Sequence, residues 1–197
     1  MTDRDHLRKS LRRYRSTLSG TARSGAAELV TKEFLQTRWF RSAHRIAGYL
    51  AVGGELDIWP TLMAAYAAGK QIYLPVLAWD KRLWFQRWTP HTPLRSNRFG
   101  IMEPDVSARY RLEARSLDVV LTPLVGFDHD GNRLGMGGGF YDRTFDYQLL
   151  LKKWHRPSLV GIAYDFQETT ILERAPWDVP LTGIITPTGS RKFKTKE

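Results

Sequence analysis

The chain has 197 residues, enough for one well-buried domain and short for two. Its 42% hydrophobic and 25% charged residues argue against disorder, and the absence of cysteine excludes disulfides, thiolate metal sites and a cysteine nucleophile. The net charge of +10 admits nucleic acid, an anionic membrane surface or a polyanionic small substrate as partner.

Residues 4–18 carry Leu7, Leu11, Tyr14 and Leu18 at i, i+4, i+7 and i+11, which predicts an amphipathic helix with its arginines on a solvated face. Ser19-Gly20-Thr21 is a capping break, and a second helix is expected from about Ala22 to Thr37. Arg45 to Ala51 predicts a central strand, ending in the turn Val52-Gly53-Gly54-Glu55. That turn brings a carboxylate to the strand's C-terminal edge, where open α/β sheets bind ligands. Asp57 is expected to cap a helix with Pro60 in its first turn, Ile58, Leu62 and Tyr66 on one face, and Gly69 as its stop.

Gln71 to Leu77 and Leu83 to Trp88 predict two more strands, the second near a sheet edge, around a polar turn at Trp79-Asp80-Lys81. Thr89 to Gly100 reads as a long connection. Ile101-Met102-Glu103-Pro104 lies open between an acidic-proline step before the next helix or turn and a stretch in which Glu103 is an exposed loop acid. Leu117 to Val125 predicts a buried strand, Phe140 to Trp154 a helix, Ser158 to Tyr164 a buried strand, and Gly183 to Thr186 a last short strand. From Gly189 the tail is basic and expected to be mobile. Strands alternating with helices predict a three-layer α/β/α sandwich around a mostly parallel, Rossmann-like sheet, forming a single domain over residues 1–197.

Between the Leu117–Val125 strand and the helix from Phe140 lies Gly131-Asn132-Arg133-Leu134-Gly135-Met136-Gly137-Gly138-Gly139-Phe140-Tyr141-Asp142-Arg143, with five glycines in nine positions. Glycine at this density lets backbone N–H groups turn toward a ligand, and a strand, a glycine-rich loop and a helix start together suit a phosphate. It is not a Walker A loop, because Phe140 and Tyr141 stand where Lys and Ser or Thr are needed. Nor is it a Rossmann fingerprint, because Phe140 replaces the third glycine. Asp142 alone is a helix-start acid, Asp178 alone a turn former before Pro180, and Glu55 alone a first-turn acid. The five histidines show no metal-ligand spacing.

Taken with its surroundings, this stretch resembles the 5-formyltetrahydrofolate cyclo-ligase family, also called methenyltetrahydrofolate synthetases. Leu121-Thr122-Pro123-Leu124-Val125-Gly126-Phe127-Asp128 precedes it. Gly54-Glu55-Leu56-Asp57, Tyr73-Leu74-Pro75-Val76, Asp178-Val179-Pro180-Leu181 and Ile185-Thr186-Pro187 add to the match in the family's order, across most of the chain.

The resemblance implies ATP-dependent cyclisation of 5-formyltetrahydrofolate to 5,10-methenyltetrahydrofolate, with Mg²⁺ as cofactor and ATP as co-substrate. It implies that Arg4 and Arg8 of the first helix meet the ATP phosphates, and that Arg133, Leu134, Gly135, Met136, Gly137, Gly138, Gly139, Phe140 and Tyr141 wrap the triphosphate. Met136 to Phe140 would also border the folate, with Glu55 on its pterin ring and Leu50 nearby. Asp142 and Asp178 would hold magnesium, and Arg133 and Asp142 are the implied catalytic residues. Family members often carry cations at the positions of Met136 and Gly138, which are neutral here; Arg4 stands where a lysine is usual.

A folate, especially a polyglutamylated one, and ATP are polyanions that the positive charge would suit. A sugar-phosphate isomerase or an acyl-CoA transferase is the alternative enzyme reading, and a nucleic-acid-binding module the non-enzyme one. The expectation is a monomeric cytoplasmic enzyme with no membrane association and no specific nucleic-acid partner, since the N-terminus is charged from Asp3 and apolar runs are short.

Overall fold

The computed structural model describes residues 3–150 and 156–194. Helix α1 (Asp3–Thr17) and helix α2 (Gly20–Gln36) meet at Ser19, whose hydroxyl accepts from the Ala22 N–H at 3.1 Å and so satisfies one open donor of α2. Helix α3 (Arg38–Ser42) follows directly, capped by Thr37.

Strand β1 (Arg45–Ala47) is shorter than the expected Arg45–Ala51. Gly48 still donates to the Tyr73 carbonyl at 3.0 Å, but a Cβ on Gly48 would lie 2.6 Å from Leu62, so the next helix presses on the strand's end and the chain leaves the sheet. That helix, α4 (Trp59–Ala67), has Ile58 at its N-cap; Asp57 sits one residue earlier and accepts from the Trp59 N–H at 2.8 Å. Ile58 and Leu62 are buried as expected, whereas Tyr66 is exposed and Thr61 and Ala65 take its place on the buried face.

Strands β2 (Gln71–Leu77) and β3 (Leu83–Trp88) form a hairpin. The expected loop from Thr89 to Gly100 contains β4 (Leu94–Ser96), which pairs with β5 (Met102–Pro104) in a second, separate hairpin. After β6 (Arg111–Leu112) comes β7 (Val119–Pro123), shorter than the expected Leu117–Val125 because the Leu117 N–H closes the preceding 3-10 turn on the Ala114 carbonyl and Leu124 and Val125 turn toward a third hairpin, β8 (Gly126–Phe127) with β9 (Arg133–Leu134).

The expected helix from Phe140 to Trp154 is two short helices, α5 (Phe140–Phe145) and α6 (Tyr147–Leu150), and its last residues lie outside the described residues. The break falls at Asp146, whose carboxylate is held by Arg82 at 2.7 Å. Strands β10 (Ser158–Ile162), β11 (Gly183–Thr186) and β12 (Gly189–Lys192) complete the fold.

Among the described residues, eight strands form one sheet in the order β12-β11-β10-β7-β1-β2-β3-β6. The inner five, β11 to β2, are parallel, and β12, β3 and β6 are antiparallel additions at the two edges. The inner strands are apolar on both faces, as helices on both sides require. Ile46, Ile72, Leu74, Val119, Leu121, Val160 and Ile185 pack on one face against Ala27, Val30 and Phe34 of α2 and Leu62 of α4. Ala47, Tyr73, Val120, Leu159 and Ile184 pack on the other against Phe127, Phe145 and Phe193. The α/β sandwich expected from the strand–helix alternation is the observed architecture.

Two expectations are corrected at the chain's ends. Among the described residues the tail is fixed to the fold: β12 pairs with β11, and Phe193 is buried against the β8–β9 turn, where its ring comes within 2.7 Å of the position a Cβ on Gly131 would take. In α1, Leu7 and Leu11 pack on Val125, Leu134 and Leu172, but Tyr14 is exposed and the buried residue of the next turn is Arg15.

Phe193→Ala is expected to lower the unfolding free energy by about 3 kcal/mol, as deletion of a buried aromatic ring does. A urea midpoint close to that of the unsubstituted protein would show that the tail is not part of the core.

Candidate active site

The chain crosses from one half of the sheet to the other between β1 and β7. From β1 it proceeds to β2 on one side, and from β7 to β10 and β11 on the other. Carboxyl ends of parallel strands at such a switch point leave a crevice, because the loops depart in opposite directions. Here it is a cleft of about 850 Å³, lined by Tyr49, Leu50 and Glu55 after β1, Pro123 at the end of β7, and the glycine loop from Gly135 to Gly139.

Of the residues singled out in the sequence, Arg4, Arg8, Leu50, Glu55, Arg133, Gly135, Met136, Gly137, Gly138, Gly139, Phe140, Tyr141, Asp142 and Asp178 all line this cleft. Leu134 does not. Its side chain is fully buried with Val125 and Leu172 on the opposite side of β9, since neighbours on a strand point to opposite faces. Leu50 lines the cleft and also packs on the hydrophobic cluster beneath it.

Glu55 reaches the cleft through a tight turn. Gly54 has a positive φ of 79°, a backbone conformation that calls for glycine. One Glu55 oxygen accepts from the Val52 N–H at 3.1 Å; the other has no protein partner among the described residues. The Tyr49 hydroxyl donates to the Leu56 carbonyl at 2.7 Å and ties down the far side of the turn. Burial pushes the Glu55 carboxyl above its ordinary 4.5, opposed by the Val52 N–H and by the Arg15 and Arg12 guanidiniums.

Arg15 was missed in the sequence, where it counts as one more arginine of a solvated face. It is 1% exposed and donates to the Gly53 carbonyl at 2.9 Å and the Leu124 carbonyl at 3.3 Å, bolting α1 to the Glu55 turn and to the end of β7. Burial lowers its pKa, and the charge of Glu55 is the largest opposing influence.

The opposite wall carries paired charges. Arg133 and Asp142 bond at 2.6 Å, with the arginine side chain 4% and the aspartate 20% exposed, and the same Asp142 oxygen accepts from the Val179 N–H at 3.1 Å. Arg4 bonds Asp178 at 3.0 Å, and that oxygen also accepts from the Ala175 N–H. Arg8 bonds Asp5 at 2.5 Å and donates to the Gly135 carbonyl at 2.9 Å. The Arg133 guanidinium also lies over the Tyr141 ring, 5.5 Å from its centroid, and burial followed by the Glu55 charge raises the pKa of that phenol.

Asp142 and Asp178 each keep one oxygen with no protein hydrogen bond among the described residues, both on the cleft. Two such carboxylates, completed by phosphate oxygens and water, suit magnesium. Among the described residues no cluster of three or more acidic or histidine side chains is present that would hold a metal by protein ligands alone.

The β4–β5 hairpin roofs the cleft with Asn97, Phe99, Ile101 and Met102. Glu103 is not an exposed loop acid: one of its oxygens accepts from the Leu77 N–H at 2.9 Å and the Asn97 amide at 2.7 Å, clamping the hairpin to the end of β2. Short strands and two prolines hid this hairpin in the sequence; the Asn97–Gly100 turn was its one local signal.

Among the described residues no helix is long and apolar enough to cross a membrane. Ionising the buried Glu55 costs stability, because the folded state holds its proton more tightly than the unfolded chain does. Stability is therefore lost as pH rises from about 4.5 through the raised value, and levels off above it. Glu55→Gln is expected to be as stable as the unsubstituted protein near pH 4 and more stable at neutral pH, in thermal melts across that range. A variant less stable at neutral pH would show that the carboxylate is held by attraction rather than against burial.

Comparison with known proteins agrees with this geometry. The profile of the 5-formyltetrahydrofolate cyclo-ligase family matches residues 1–187. A 5-formyltetrahydrofolate cyclo-ligase of Haemophilus influenzae is 39% identical over 186 residues, 92% of this chain and 96% of that protein. One of Escherichia coli K12 is 43% identical over 149 residues, 74% and 79% of the two chains. The solved structure of an Aquifex aeolicus 5,10-methenyltetrahydrofolate synthetase superimposes with a TM-score of 0.83 at 29% identity, covering 100% of this chain and 95% of that one.

Proposed function

Because the chain belongs to the 5-formyltetrahydrofolate cyclo-ligase family, we propose that this enzyme closes 5-formyltetrahydrofolate to 5,10-methenyltetrahydrofolate at the expense of ATP, releasing ADP and phosphate. One observation carries the reading. A carboxylate suited to a pterin ring, Glu55, opens on the same cleft of about 850 Å³ as a glycine-rich loop and the guanidiniums of Arg4, Arg8 and Arg133.

The formyl oxygen takes the γ-phosphoryl group of ATP, and ADP leaves. N10 then attacks the formyl carbon and gives up its proton; the carbon–oxygen bond breaks, and the oxygen departs with phosphate. Two steps of this kind need alignment and charge neutralisation more than a side-chain nucleophile, and the chain has no cysteine to offer one.

Glu55 orients the folate. Its free oxygen accepts from the pterin's adjacent N–H and NH₂ donors, with Arg15 behind it favouring the ionised form. Leu50 packs beside the ring. The loop from Gly135 to Gly139 gives its N–H groups to the phosphates, joined by Arg4, Arg8 and Arg133, with Phe140 and Tyr141 closing the site against water. Asp142 and Asp178 hold Mg²⁺, which when bound offsets the charge of the phosphate oxygens. The cysteine-free composition supports a cytoplasmic setting.

Mixing the protein with 5-formyltetrahydrofolate, ATP and Mg²⁺ is expected to raise the near-ultraviolet band of the methenyl product, and omitting either ATP or metal to abolish it. A preparation that yields no band, while a control cyclo-ligase does, would sink the reading. Asp178→Asn is expected to raise the Mg²⁺ concentration for half-maximal rate by at least about tenfold, since even outer-shell losses cost about 10–100-fold in metal affinity. An unchanged metal dependence would remove Asp178 from the metal site.

A further inference from the structure

Three of the cations on the cleft are already matched to a carboxylate: Arg4 to Asp178, Arg8 to Asp5 and Arg133 to Asp142. Arg143 also lines the cleft, yet among the described residues it has no carboxylate within ion-pair distance. The acid three residues on, Asp146, is taken by Arg82.

The Arg143 side chain folds back over the loop that precedes its own helix. Its Nη1 donates to the Gly138 carbonyl at 2.7 Å. A Cβ on Gly139 would stand 2.9 Å from Nη1, 3.3 Å from Cζ and 3.4 Å from Nη2, so the guanidinium lies against this stretch of backbone. Gly139 itself is left-handed, with φ 66°, and both its conformation and this close approach depend on the missing side chain. The loop's own side chains from Gly135 to Gly139 carry no charge. Its positive charge comes instead from the helix behind it.

We propose that Arg143 is a phosphate-binding residue of the ATP site, standing over the Gly138–Gly139 backbone as the loop's cation. One N–H is spent on the Gly138 carbonyl, and the rest of the planar fork is left for an anion held by the same loop. A paired arginine must give up a carboxylate to meet a phosphate; Arg143 has none to give up. The inference rests on reading the cleft as an ATP site.

The test separates charge from bracing. Arg143→Ala, Arg143→Gln and Arg143→Lys are compared with the unsubstituted chain by calorimetric titration with ADP and Mg²⁺, and by KM for ATP and for 5-formyltetrahydrofolate. Glutamine keeps an amide donor but carries no charge; lysine keeps the charge without the fork. Alanine and glutamine are expected to weaken nucleotide binding and raise the KM for ATP about tenfold or more, as loss of a charge-assisted bond does, with lysine recovering part. The KM for the folate is expected to stay within about twofold.

Wild-type nucleotide affinity in Arg143→Gln would make the residue a brace and overturn the proposal. So would equal losses for both substrates, or no loss in Arg143→Ala. If the unsubstituted chain binds no ADP and makes no methenyl product, the ligase reading fails and the proposal falls with it. If it does both and the variants match it, the proposal alone falls.

Discussion

The site hangs on one carboxylate oxygen. A single oxygen of Asp142 accepts from the Arg133 guanidinium at 2.6 Å and from the Val179 N–H at 3.1 Å. Arg133 lies on β9 before the glycine loop, Asp142 on α5 after it, and Val179 some forty residues further along the chain. The adjacent Asp178 reaches Arg4 on α1. Four distant segments are thereby gathered around one ion pair with a buried arginine, and the glycine loop, which has few side chains to pack, is anchored at both of its ends. A charge-assisted bond is strong enough for this role, and removing Asp142 would leave the buried Arg133 charge without its counter-charge.

The pairing also bears on how the cleft meets a charged ligand. Guanidinium groups aimed at one point repel each other and are costly to hold there without counter-charge. Here each of Arg4, Arg8 and Arg133 rests on an aspartate. On the proposed reading, a magnesium–triphosphate complex supplies both signs at once: phosphate oxygens for the arginines and a cation for the carboxylates. The partners can be exchanged with little net change in charge, so the ligand-free arrangement is already close to the one the ligand needs.

Glu55 represents the opposite economy of forces. Its turn is bolted from behind by Arg15, whose guanidinium spans the Gly53 and Leu124 carbonyls, and from the side by Tyr49. That rigidity holds a carboxylate where burial disfavours its charge. On the proposed reading, a carboxylate that burial disfavours and that faces the cleft serves binding rather than folding. The strand-end position makes this possible: β1 stops after three residues because α4 presses on Gly48, and the chain freed there forms the Glu55 turn.

Much of this was legible in the sequence. The strand–helix alternation, the buried runs at Gln71–Leu77 and Ser158–Tyr164, and the Ser19 cap follow from periodicity and capping chemistry, which are local properties. The glycine stretch and its flanking Arg133 and Asp142 singled out residues that the structure brings to one cleft, and the resemblance named the family. What stayed hidden depends on partners far apart in the chain. Arg15 reads as a surface arginine until Gly53 and Leu124 are brought to it, Glu103 as a loop acid until Leu77 is, and the tail as loose until β11 and Gly131 receive it. Leu134 was counted with its loop, but strand alternation turns it into the core. Local propensity determines which segments are regular and which backbone can bend toward a ligand. Which polar groups are buried, and against what, was decided by the tertiary structure, because a hydrogen bond or an ion pair exists only where folding brings both halves within about 3 Å.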